Sequence, residues 1–142
     1  MKRYLPWLIL LTLAAVLVLA VLPQGVEMHF MAPHDGDIPY YVTYAPYFSL
    51  LPFGYANFGP LLTAIFASAA FILSVIRLFL TSRRISIAVF VLAMIAMVTS
   101  VMPLLFAFTF IGSAITDLLV IAGVLAGALQ KLTKGGKTDE TK

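Results

Sequence analysis

The chain has no cysteine, which excludes disulfides, thiolate metal sites and cysteine-linked lipid anchors. Charge is scarce as well: 11% of its 142 residues are Asp, Glu, Lys or Arg, where a soluble domain carries about a quarter. With 62% of residues apolar and a mean hydropathy of +1.05, there is too little polar surface to cover a globule in water. The bilayer is the expected solvent. A net charge of +3, scattered over helix ends and a tail, does not point to nucleic acid. No phosphate-binding loop, paired buried carboxylates, nucleophile with a base or metalloprotease helix occurs. A non-enzymatic protein without a cofactor is expected.

Four long apolar runs are present. Leu5 to Leu22 and Ile85 to Phe108 hold no charge, Phe58 to Leu80 holds only Arg77, and Ile111 to Leu129 holds only Asp117. A helix needs about 20 apolar residues to cross the hydrocarbon core, and its backbone must bond internally there. The expected fold is an all-α integral membrane protein, an antiparallel four-helix transmembrane bundle. Its membrane domain covers residues 1–132, with spans at about 5–22, 58–80, 85–108 and 111–131, an outer loop over 23–57, and a disordered cytoplasmic tail over 133–142. The first run has an alternative reading as a secretory signal peptide, with Val18 and Ala20 at −3 and −1 of a cleavage site, but its apolar core is longer than such peptides use.

Basic residues set the orientation. Lys2 and Arg3 precede the first span, Arg77, Arg83 and Arg84 cluster at the second-to-third junction, and Lys131, Lys134, Lys137 and Lys142 follow the fourth. The outer loop and the third-to-fourth turn have none. All nine fall on one side if both termini are cytoplasmic, as expected of a multi-pass protein of a plasma or inner membrane. Arg77 is expected to snorkel to the headgroups beside Arg83 and Arg84. Pro6 and Pro60 suit first helical turns, with Asn57 or Gly59 as cap of the second span. Pro103 should kink the third, and Gly112 and Ser113 should form the turn and cap of the fourth.

A loop of this length is often functional. Asp35-Gly36, flanked by aromatic and β-branched residues, predicts a short β-hairpin. The loop also holds His29 and His34 near Glu27, Asp35 and Asp37, a weak metal-ligand pattern with no helical spacing. Its last part, "APYFSLLPFGYANFGPLL", concentrates aromatics among prolines and glycines. Tyr47, Phe53, Tyr55, Asn57 and Phe58 are the contact candidates. The competing reading is physical: such rings favour the headgroup region and shape the chain's descent into the bilayer. "PFGYANFGPLL" and the four-span layout resemble a group of small, uncharacterised bacterial membrane proteins, a likeness that implies a bacterial inner membrane and no activity. The layout is also similar to that of claudin-like tetraspan proteins, but their tryptophan motif and cysteine pair are missing here.

Asp117 is the sole acid within an apolar run. A carboxylate in the membrane costs about 2.5–3.5 kcal/mol on insertion scales and is a functional hypothesis by default. Counted from Ser113 it lies about 6 Å into its helix, where the helix dipole favours an acid. Gly123 and Gly127 form a GxxxG pattern that fits close helix packing, within the chain or between copies. The expected partners are the lipid bilayer and another membrane protein or a second copy. Two functions are in view: an interaction or accessory protein working through its outer loop, and a small oligomeric transporter or channel using Asp117.

Overall fold

The computed structural model describes residues 4–31, 40–54, 57–106 and 109–135. Its elements run α1 (Leu5–Val21), β1 (Val26–Met31), β2 (Tyr40–Ala45), the single turn α2 (Leu51–Gly54), α3 (Gly59–Phe79), α4 (Arg83–Phe106) and α5 (Phe110–Gly135). The four long helices pack as a ring, α1 and α4 each lying against both α3 and α5. Three of them, α3, α4 and α5, are long and apolar enough to cross a membrane. At 17 residues α1 is shorter, about 25 Å at the helical rise, and is also apolar.

The core is a seam of residues three and four apart, the spacing that keeps one helix face turned inward. Ile9, Leu13, Val16 and Ala20 supply it from α1, and Ile115, Leu119, Ala122, Ala126 and Leu129 from α5. Opposite them, α3 contributes Ala64, Ala67 and Ala70 and α4 contributes Val89, Ala93 and Ala96. These side chains are small, so the two backbones approach closely. At Gly59 the approach is tightest: a Cβ there would lie 2.8 Å from the Met102 Cβ, the Pro103 Cδ and the Thr99 carbonyl oxygen. Pro103 stands inside α4, where it withdraws the N–H that would bond Thr99, and its ring fills the space that a glycine leaves. Thr63 and Thr99 bridge the same seam with a 2.9 Å hydroxyl–hydroxyl bond. The outward faces are apolar too, with Leu11, Val18, Ile72, Val98 and Val124 all exposed. Helices that are hydrophobic all round belong in a large core or a membrane.

Several expected boundaries change. The N-cap of α3 is Phe58, without a side-chain bond, rather than Asn57 or Gly59. Helix α5 begins three residues before Ser113 and continues to Gly135, past the expected start of the tail. Residues 136–142, the rest of that tail, lie outside the described residues. The hairpin is present: β1 and β2 pair antiparallel with Val26 opposite Ala45 and Met31 opposite Tyr40. Its Asp35-Gly36 turn is outside the described residues.

Candidate contact surface and polar sites

One tyrosine ties the hairpin to the bundle. Tyr47 follows β2 and is fully buried, at 0% exposure. Its backbone N–H donates to the Ala20 carbonyl at the end of α1 at 3.0 Å. Its ring occupies space left by two glycines: a Cβ on Gly25 would come within 2.8 Å of Cδ2, and one on Gly112 within 3.3 Å of the hydroxyl. The phenolic oxygen has no hydrogen-bond partner among the described residues, and burial pushes its pKa up. Tyr47 was expected among the contact residues; it is a plug and presents no surface.

Thr109 makes the second tie. It precedes α5, and its Oγ1 accepts the Gly112 N–H at 3.0 Å while donating to the Gly25 carbonyl at 2.8 Å. This is N-cap geometry, with the N3 amide satisfied by the hydroxyl. The cap is therefore Thr109 and not the expected Gly112–Ser113 pair. The hydroxyl that caps the helix also holds the loop entering β1.

Held this way, the hairpin has two distinct faces. Val26, Met28 and Ala45 point inward and are buried, and Phe30 stacks on Tyr41 with ring centroids 5.3 Å apart. On the opposite face Glu27 and His29 pair at 2.9 Å, and beyond them stand Tyr44, Val42 and Met31, the last 92% exposed. A cleft of about 420 Å³ lies between the hairpin and the start of α5, lined by Gln24, Glu27, Tyr44, Thr109, Phe110 and Ile111. Phe110, 84% exposed, forms its lip. Sequence reasoning missed Tyr44 and Phe110 because aromatic density, concentrated later in the loop, drew the assignment there. The alternation Glu27–His29–Met31 against Tyr44–Val42 was the available signal.

Of the other outer candidates, Phe58 is exposed and Asn57 half-buried with its Oδ1 orphaned. The Phe53 side chain, Tyr55 and His34 lie outside the described residues. His29 is engaged with Glu27, and no group of three metal-ligating side chains occurs among the described residues.

Polar groups also occur inside the bundle, toward the end bearing Arg83 and Lys131. Arg77 does not extend outward as expected. It is 8% exposed, and its Nε donates to the Ser86 Oγ at 2.5 Å. That hydroxyl in turn donates a hydrogen bond to the Ser82 carbonyl at 3.1 Å, and Gln130 of α5 donates to the Ser86 carbonyl at 3.4 Å. Beside them the Ser74 Oγ is buried without a partner among the described residues, at a void of about 10 Å³ that also touches Pro6 and Ile9 of α1. Such a space holds about one water. No carboxylate pairs with Arg77 among the described residues.

Asp117 does not hold the helix-start position expected of it. With α5 starting at Phe110 it lies about 10 Å along the helix, beyond the first turn, where the dipole no longer favours an acid. It is exposed on the outer surface of the bundle and forms no ion pair among the described residues. Gly123 and Gly127 pack within the chain: Cβ atoms there would sit 3.3 Å from the Met94 sulfur and from the Phe90 ring of α4. Comparison of the chain with protein-family models, with curated proteins and with solved structures returns no match.

Proposed function

We propose that this is a non-enzymatic accessory protein of a bacterial inner membrane, whose four-helix bundle serves as an anchor and whose hairpin docks the outer segment of another membrane protein. Both termini are cytoplasmic in this reading, since all nine basic residues then share one side. The observation that carries the contact role is the outer face of the hairpin. Tyr44, Val42 and Met31 are exposed together, next to the Phe110-lipped cleft, on an element fastened to the bundle by Tyr47 and Thr109. Exposed apolar side chains beside the Glu27–His29 pair on an ordered element offer a partner both apolar and polar contacts. Its two strands also leave edges to which a partner strand can add.

A photo-crosslinking residue at Tyr44 tests this in intact cells. The expected result is a discrete adduct that disappears when Val42 and Met31 are changed to Ser. An unchanged adduct in that variant, or none from Tyr44 in a folded protein, overturns the reading. The transport alternative has less support, because Asp117 lies on the bundle surface, and a path using it would have to run between copies.

A further inference from the structure

The surface between α4 and α5 carries a groove of about 720 Å³. Its length is apolar, walled by Phe90, Met94, Gly123 and Val124, while charge is confined to one end, where Arg83 and Lys131 stand exposed. No Asp or Glu lines it among the described residues. An apolar lane of this size capped by two cations that no described carboxylate opposes matches one kind of molecule, a chain of methylenes ending in a negative headgroup. Basic pockets between membrane helices bind lipid headgroups in this way.

We propose that this groove is a binding site for one anionic phospholipid, with an acyl chain along Phe90, Met94 and Val124 and the phosphate on Arg83 and Lys131. The floor supports a lipid rather than a helix. The notches at Gly123 and Gly127, which would admit a second backbone, are already filled by Met94 and Phe90 from the same chain. Methionine is the most adaptable apolar side chain, suited to a flexible acyl tail. A second copy is disfavoured by charge. Two chains in one membrane share their orientation, so a two-fold pairing through this groove would set Arg83 and Lys131 of one copy against the same pair of the other. The proposal rests on the membrane-embedded reading and is independent of the hairpin's contact role.

Native mass spectrometry of the full chain, released from micelles after incubation with phosphatidylglycerol or with phosphatidylcholine of the same acyl chains, tests it. The wild type should retain one phosphatidylglycerol with a preference of about twenty-fivefold, since each of the two cations near an anionic group contributes about fivefold and the factors multiply. Arg83→Gln with Lys131→Gln should abolish the preference while weak retention of both lipids persists. Val124→Trp, which fills the lane, should reduce both. Equal retention of the two lipids by the wild type, a preference that survives the double substitution, or a dimer in place of the lipid adduct would overturn the proposal. Alkaline carbonate extraction separates the two levels. Release of the protein from membranes overturns the embedding itself, whereas a protein that stays embedded and shows no preference overturns only the lipid site.

Discussion

The two ends of the bundle are closed by opposite means. At the hairpin end, fit does the work: Tyr47 fills the space over Gly25 and Gly112, Pro103 packs on Gly59, and one threonine hydroxyl serves both a helix cap and a loop carbonyl. At the other end the interior holds a guanidinium with a single neutral acceptor among the described residues, beside a serine hydroxyl that none of them satisfies. Buried polar groups cost free energy unless they are satisfied, and buried charges cost more. The hairpin end also buries orphaned oxygens, on Tyr47 and Asn57, but no charge, so stability should concentrate there and the larger polar penalty should lie at the Arg77 end.

Substitutions can break this contrast. Tyr47→Ala is expected to have the largest effect, a loss of about 3–5 kcal/mol from emptying the space of a buried aromatic ring, read as a lowered thermal midpoint in micelles. At the opposite end the sign should depend on which partner is removed. Ser86→Ala strands the Arg77 Nε and should cost about 1.5–3 kcal/mol, whereas Arg77→Met, similar in volume and uncharged, should be neutral or stabilising. A strong loss on Arg77→Met would mean that this end is not the strained one.

Thr109→Val comes next, at about 1–2 kcal/mol for a lost cap, with added hydrogen exchange at the Gly112 amide. Tyr47→Phe should be the smallest change and in the favourable direction, because the hydroxyl it removes has no partner. The pH dependence follows from the same burial. Folding raises the Tyr47 pKa, so its contribution is constant below the ordinary tyrosine value near 10 and is lost as pH rises above it. Tyr47→Phe should remove that alkaline loss.

The helices were legible in the sequence because an apolar run of membrane length has few other folds available. The run from Phe58 to Leu80 became α3, Gly59–Phe79, and the strand pair was expected from aromatic and β-branched residues on either side of Asp35-Gly36. Which side of each helix faces inward was harder to read. When both faces are apolar, hydrophobicity carries no phase, and small side chains mark the seam instead. Ala64, Ala67, Ala70, Ser74 and Arg77 continue one stripe at three- and four-residue steps, and that stripe is buried. Followed to its end, it would have turned Arg77 inward. Thr109 was missed because α5 was started too late, and the same error placed Asp117 within reach of the helix dipole. The burial of Tyr47 had no local signal, as it depends on glycines 22 and 65 positions away in the chain.

The central claim is that the hairpin end and the Arg83–Lys131 end lie on opposite sides of a membrane. The lack of native cysteine makes this directly measurable. Tyr44→Cys and Leu132→Cys each introduce a single thiol at an exposed position, one at either end. A membrane-impermeant maleimide applied to intact spheroplasts should label Tyr44→Cys at once and Leu132→Cys only after the membrane is permeabilised. Equal labelling of both thiols before permeabilisation, or the reverse order, would contradict the account.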